Sequence, residues 1–185
     1  RATEGGNDLH VHAEFLQALS AARLEREDAV SMMRDFIREH AANSRAGLMR
    51  YHLGKFYFDR QKFEEAIEPL EEAYQAGGMT QERFDDAVFL LGYSHFKAGD
   101  LSRAKVYFEQ AARRETPYQE DAQYYQAVIL YQQQDYEAAY TALKALENSP
   151  TYGREIKVYL ANTLLKLQRY DELYVLADEL IAGPK

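Results

Sequence analysis

One pattern constrains this chain more than any other. A small residue is followed by apolar residues at fixed offsets, four times over. From Gly54, preceded by Leu53, come Tyr57 at three residues, Phe63 at nine, Ala66 at twelve, Leu70 at sixteen and Ala73 at nineteen. From Gly92, preceded by Leu91, the same offsets give His95, Leu101, Ala104, Phe108 and Ala111. From Ala127, preceded by Gln126, they give Leu130, Tyr136, Ala139, Leu143 and Leu146. From Ala161, preceded by Leu160, they give Leu164, Tyr170, Leu173, Ala177 and Leu180. The anchors stand 38, 35 and 34 residues apart. A self-similar period of this length means stacked supersecondary units.

The physics of the unit is a helical hairpin. The small anchor lets its first helix (helix A) approach a neighbour closely, and the Ala at offset twelve does the same from the second (helix B). Larger residues at i, i+3, i+4 and i+7 fill the space between one pair and the next. No single hairpin buries both of its faces, so hairpins stack. The pattern predicts helices over 9–23, 26–40, 44–59, 63–77, 81–98, 101–114, 118–133, 136–148, 152–167 and 170–182, with no strand. Asp100 and Asp135 precede helices B as caps. Thr116-Pro117 and Ser149-Pro150 place a capping hydroxyl before a Pro at a helix start. Pro69 falls inside a helix B, where a mild kink is expected.

Leu53-Gly54-x-x-Tyr57 with Ala66 and Ala73, and Leu91-Gly92 with Ala104, Phe108 and Ala111, resemble the tetratricopeptide repeat family. The resemblance covers residues 47–182. The third copy replaces Leu-Gly by Gln126-Ala127, the fourth has Leu173 where Ala is usual, and the opening Trp of the family pattern is absent throughout. The resemblance implies an all-α, right-handed superhelical solenoid of about five antiparallel helix pairs, 9–43, 44–80, 81–116, 117–149 and 150–182, in one domain over 9–185. Residues 1–8, polar and with a Gly pair, read as a disordered tail. The linker at Asn43-Ser44-Arg45 also resembles that of bacterial envelope tetratricopeptide proteins. Together with the lack of cysteine, it favours an envelope or periplasmic setting.

Composition narrows the function classes. Acidic residues outnumber basic ones, 30 to 22, for a formal charge of −8 over 185 residues. Nucleic acid is therefore not an expected partner, since phosphate binding needs clustered Lys and Arg. With no cysteine, disulfides, thiolate catalysis and thiolate metal sites are excluded. No apolar run is long enough for a membrane span. The sequence contains no nucleophile elbow, phosphate-binding Gly loop or H-E-x-x-H motif. The carboxylate pairs Glu64-Glu65, Glu71-Glu72 and Asp85-Asp86 read as a solvated charged face. His10-x-His12 is half a ligand set at most, because residues two apart point to different sides of a helix. His52 and His95 read as packed histidines. The expectation is no enzyme activity, no cofactor and no metal.

The aromatic residues carry the functional reading. In the tetratricopeptide resemblance, helices A line the concave face at three before, one after and four after the anchor. Those positions hold Tyr51, Lys55 and Phe58; Phe89, Tyr93 and Phe96; Tyr124, Val128 and Tyr131; and Val158, Asn162 and Leu165. Seven of these twelve are aromatic, and rings are frequent interface anchors. The site expected is a peptide-binding groove of Tyr51, Lys55, Phe58, Phe89, Tyr93, Phe96, Tyr124, Tyr131 and Asn162. The family's carboxylate clamp is not supported, since only Lys55 and Asn162 are of the right type. Asp86, Asp121 and Glu155, which start successive helices A, argue against acidic tails as ligands. The function expected is a non-catalytic scaffold that binds another protein or peptide. The alternative is a structural segment of a larger envelope or assembly protein. Tyr174, Val175 and Ile181 exceed what the last hairpin can bury, which suggests a piece of a longer array or self-association through that C-terminal edge.

Overall fold

The computed structural model describes residues 2–182, with side chains from Asp8 to Ile181. These residues form ten α-helices in five consecutive hairpins and no strand: α1 (Ala2–Arg23), α2 (Ala29–Glu39), α3 (Ser44–Asp59), α4 (Phe63–Ala76), α5 (Gln81–Lys97), α6 (Leu101–Ala112), α7 (Gln119–Gln132), α8 (Tyr136–Ala145), α9 (Gly153–Lys166) and α10 (Tyr170–Ala182). The fold is an all-α helical-repeat solenoid class. Two findings differ from the sequence expectation. Helix α1 begins at Ala2, so residues 2–8, expected as a tail, are its first turns. Asp8 is tied to α3 by an ion pair with Arg45 at 2.6 Å, a long-range partner that a local reading of a polar Gly-containing segment does not reveal. The chain also divides into two compact units, Arg1–Tyr107 and Phe108–Lys185, where one domain was expected. Helix α6 carries residues of both.

The caps follow the chemistry of the linkers. Asn43 accepts a hydrogen bond from the Arg45 N–H and Thr80 from Arg83, before α3 and α5. Asp100 accepts from Arg103 at 3.0 Å and Asp135 from Ala138 at 3.3 Å. These side chains satisfy backbone donors that have no partner in a first turn. Thr116 and Ser149 accept from Tyr118 and Tyr152 respectively, but these form turns ahead of the helices: α7 and α9 start at Gln119 and Gly153, so Pro117 and Pro150 are not the first helical positions expected. Pro69 is accommodated within a continuous α4 and is buried.

Every turn inside a hairpin is built the same way. One residue in each takes a left-handed conformation: Glu25 (φ 53), Gln61 (φ 58), Gly99 (φ 83), Gln134 (φ 64) and Gln168 (φ 57). The N–H of the following residue reaches back across the turn: Arg26 to the Ala21 carbonyl, Lys62 to Tyr57, Asp100 to His95, Asp135 to Leu130 and Arg169 to Leu164. That is the hydrogen bond of a Schellman C-cap. In four hairpins the left-handed residue lies seven after the anchor. The same count places the anchor of the first hairpin at Ala18, which is buried.

Each unit has its own core. In the first unit Phe15, Met33, Phe36, Met49, Tyr51, Leu53, Tyr57, Leu70 and Leu91 pack together with small residues such as Ala18, Ala66 and Ala87. Gly54 is where helices touch: a Cβ there would lie 2.4 Å from Leu70 Cγ and 3.1 Å from the Leu70 nitrogen. In the second unit the core is Ala127, Ala139, Leu143, Ile156, Leu160, Leu164 and Leu176.

Candidate functional site

Within the first unit, the rings predicted on α3 and α5 come together, and a residue of α4 joins them. Phe58, Phe63 and Tyr93 form a triangle of edge-to-face contacts, with centroids 5.5 Å (Phe58–Tyr93), 5.4 Å (Phe58–Phe63) and 5.4 Å (Phe63–Tyr93) apart. Phe89 lies 6.3 Å from Tyr93. The Lys97 ammonium stands 5.6 Å from the Phe63 ring and 5.9 Å from that of Tyr93, within the range of a cation–π attraction. Phe58, Phe63, Phe89, Tyr93 and Phe96 are all half-buried. Edge-to-face packing holds such rings rigid while leaving part of each face to solvent.

Within the second unit the rings are tyrosines. Tyr124 stacks on Tyr152 at 4.1 Å and meets Tyr159 edge-on at 6.4 Å. Tyr131 meets Tyr159 at 5.3 Å and Tyr136 at 5.6 Å. The Tyr152 hydroxyl donates to Asp121 at 2.6 Å. Burial, followed by this acceptor, pushes the Tyr152 hydroxyl well above the usual phenol range. Burial raises Tyr124 as well. Both stay neutral, and the Tyr152 proton is committed to Asp121.

The two units repeat one motif. Phe58 and Phe63 stand four and nine residues after Gly54; Tyr131 and Tyr136 stand four and nine after Ala127. Both pairs pack edge to face. Phe63 and Tyr136 were absent from the predicted site because they begin helices B. Their signal was the shared offset of nine.

The other predicted residues separate. Tyr51 is a core residue, 6% exposed, and its hydroxyl donates to the buried Asp86 carboxylate at 2.6 Å. It shares the offset of Phe89 and Tyr124, but a carboxylate on α5 draws it inward, and it leaves the site. Asp86 is the sixth residue of α5, not its start, and its carboxyl is held inside. Val128 is buried too. Lys55 pairs with Asp59 at 3.3 Å and lines a separate cleft between α1, α2 and α3 with Leu19, Arg23, His52 and Phe56. Asn162 is exposed, as are Val158 and Leu165.

The charged pairs do more than solvate a surface. Glu71 meets the buried His95 at 3.2 Å and Arg103 at 3.4 Å, linking α4 to α5 and α6. Glu72 accepts from Arg50 at 2.8 Å, linking α4 to α3. His95 also stacks on Tyr107 at 5.6 Å. His52 packs against Phe15 and Tyr51. Its burial, followed by the charges of Arg83, Arg23 and Lys55, lowers it to about 4, so it is neutral at pH 7.

A family model for the tetratricopeptide repeat matches residues 15–78 and 89–153. No curated protein matches the chain in sequence. Solved structures share the fold at low identity. YrrB, described as a TPR protein with an unusual peptide-binding site, is 16% identical, with 89% of this chain and 81% of that one covered at a TM-score of 0.70. The MamA protein is also 16% identical, with 89% and 88% covered at 0.73. A tetratricopeptide repeat protein from Parabacteroides merdae is 15% identical, with 93% of this chain and 66% of that one covered at 0.71. No helix among the described residues is long and apolar enough to cross a membrane.

Proposed function

The chain belongs to the tetratricopeptide repeat family, and on that premise we propose that it is a non-catalytic scaffold holding a polypeptide against its aromatic helix-A faces. The observation that carries the reading is the paired aromatic motif. Five of the seven rings expected to face a ligand, Phe58, Phe89, Tyr93, Tyr124 and Tyr131, are half-exposed and packed against other rings. Phe58, Phe63, Phe89 and Tyr93 form one such surface in the first unit; Tyr124, Tyr131, Tyr136 and Tyr159 form another in the second. Rings fixed in advance lose little entropy when a peptide lies on them. Lys97 supplies a cation beside the first surface; Asp121 and Glu155 supply carboxylates near the second. YrrB, described as having a peptide-binding site, shares the fold, and that precedent supports the reading.

Screening a random peptide library against the purified chain tests the reading, with affinities of selected peptides measured by fluorescence polarisation. Phe89→Ala/Tyr93→Ala and Tyr124→Ala/Tyr131→Ala should each weaken selected peptides tenfold or more while the circular dichroism stays helical. Peptides whose affinity survives both double variants would place binding elsewhere.

A second reading has its own observation. Tyr174 (70%), Val175 (62%) and Ile181 (84%) are the most exposed large apolar side chains of α10. An apolar helix face of that kind suits a structural segment packed against further protein, through more chain or through self-association. Sedimentation velocity across a hundredfold concentration range separates these cases. Growth in mass abolished by Tyr174→Lys/Ile181→Lys supports self-association; constant mass excludes it.

A further inference from the structure

The His10-x-His12 pair, incomplete in sequence, acquires partners in space. His10 and Glu14 lie on one face of α1, four residues apart, with His10 Nε2 3.3 Å from Glu14 Oε1. The other oxygen of the same carboxylate, Oε2, lies 2.7 Å from His40 Nε2. His40 is the C-cap of α2: its N–H donates to the Phe36 carbonyl and its ring lies 4.7 Å from that of Phe36, so the imidazole is held in place. Glu39 adds a second carboxylate. One donor atom from each of Glu14, Glu39 and His40 falls within 4.8 Å of the other two.

These four groups make an unusual cluster for a helix–helix contact. A hydrogen bond to His40 and a contact with His10 explain the Glu14 carboxylate by itself. They do not explain Glu39, a like charge brought to the same point. The surrounding cations do not neutralise the pair fully. Arg38 approaches Glu39 at 3.3 Å but is drawn to Asp35 at 2.6 Å. A shallow cleft lined by Glu14, Gln17, Met32, Asp35, Glu39 and His40 opens beside the cluster.

We propose that His10, Glu14, Glu39 and His40 bind one divalent transition ion of the zinc class. Two imidazoles and two carboxylates suit Zn²⁺, Co²⁺, Ni²⁺ or Cu²⁺, and are poor for Mg²⁺ or Ca²⁺, which prefer all-oxygen shells. Metal–ligand bonds of about 2.0–2.2 Å place neighbouring ligand atoms about 3–4 Å apart, within the spread seen here. Glu14 and His40 are partly buried and need only separate slightly to admit the ion. His10, the most exposed of the four, completes the set by a side-chain rotation. Glu39 exchanges its contact with Arg38 for the metal. The ion would link α1 to α2, in the hairpin where Val30 replaces the small Ala found twelve residues after the anchor in the next three hairpins. Metal there is a structural clip, binding the folded hairpin and not the open chain.

The test uses the untagged 185-residue chain, with Co²⁺ followed by its visible absorption and Zn²⁺ by calorimetry. The expected result is one ion per chain, with an upward Tm shift of about 5 °C or more at a hundredfold excess over Kd. Glu14→Gln, nearly isosteric, and His40→Ala should each weaken binding at least tenfold; His12→Ala should not. Circular dichroism of Glu14→Gln without metal confirms that its loss of affinity is not loss of fold. Absence of binding at 100-fold molar excess of Zn²⁺, or equal affinity in Glu14→Gln and the parent chain, overturns the proposal.

Discussion

The two units are built on one repeat and filled with different chemistry. The first holds eight of the nine Phe, all five His and five Tyr; the second holds ten Tyr, one Phe and no His. In the first, rings enter the core: Phe15, Phe36, Tyr51 and Tyr57 are all buried. In the second, the buried cluster is entirely aliphatic, and tyrosines form the layer around it. The difference follows from the hydroxyl. A phenyl ring can be buried without a partner, whereas a phenol needs an acceptor or water. A Tyr-rich unit therefore keeps its rings near the surface, where they can meet a ligand. A Phe-rich unit divides its rings between core and surface.

Acid should break the first unit before the second. His52 takes a proton at its ordinary value near 6.5 when unfolded but only near 4 when folded. Between those values the unfolded state holds more protons, so stability is present above about 6.5 and is lost as pH falls toward 4. The shift corresponds to at most about 3 kcal/mol. Denaturant midpoints at pH 7, 5.5 and 4.5 should fall in that order, and His52→Gln should flatten the decline. An unchanged slope in that variant would mean that His52 is not the group responsible.

The two short Tyr–carboxylate bonds sharpen the contrast. Tyr51 donates to Asp86 and Tyr152 to Asp121, both at 2.6 Å, but the first bond is buried and the second only partly so. Removing a donor from a buried carboxylate costs about 1–3 kcal/mol, whereas water can replace a partly exposed one. Tyr51→Phe should therefore cost about 2 kcal/mol and Tyr152→Phe less than about 1 kcal/mol, read by chemical denaturation. Equal losses would refute the distinction between a core ring and a surface ring.

Those two tyrosines also show what the sequence could and could not reveal. The helix pairs, the Asp100 and Asp135 caps and the anchors Gly54 to Ala161 were legible because each rests on local periodicity and cap chemistry. The burial of Tyr51 was not, because it depends on Asp86, 35 residues away. Ala18 escaped notice as an anchor because Glu27, Val30 and Arg34 stand nine, twelve and sixteen residues after it, where the other repeats carry an apolar residue, mostly a small one at twelve. The His10–Glu14–His40 contact joins residues that look isolated along the chain. The aromatic site was legible in its helix-A residues and incomplete at Phe63 and Tyr136, which arrive from the next helix.

The anchors give a third contrast, since Gly54 and Ala127 occupy equivalent places in the two units. A Cβ on Gly54 meets the fully buried Leu70 at 2.4 Å, and overpacking of this kind costs about 1–3 kcal/mol. That exceeds the helix-propensity gain of about 1 kcal/mol on adding a methyl. Gly54→Ala should therefore destabilise by about 1 kcal/mol or more. Ala127 is buried with its methyl already accommodated, so Ala127→Gly should cost about 1 kcal/mol through propensity and lost contact. Thermal melts should show both losses. A gain for Gly54→Ala would mean that Leu70 moves aside freely.

The smallest effect is expected in the turns. Among the turns inside hairpins, that of the first unit at Gly99 uses glycine, whereas both hairpin turns lying wholly in the second use glutamine, at Gln134 (φ 64) and Gln168 (φ 57). A left-handed conformation costs a residue with a Cβ about 1–2 kcal/mol. Glycine escapes that cost but loses more backbone entropy on folding, by roughly 0.5–1 kcal/mol. Gln134 and Gln168 are exposed, so their side chains contribute little to packing. The reaching-back bonds from Asp135 and Arg169 use main-chain atoms alone and survive the substitution. Gln134→Gly and Gln168→Gly should each stabilise by about 0.5 kcal/mol, and Gly99→Gln should destabilise by a similar amount. Paired denaturation curves resolve differences of that size when the slope is unchanged. A loss of stability in both Gly variants would show that these glutamines stabilise the turns by more than their backbone conformation costs.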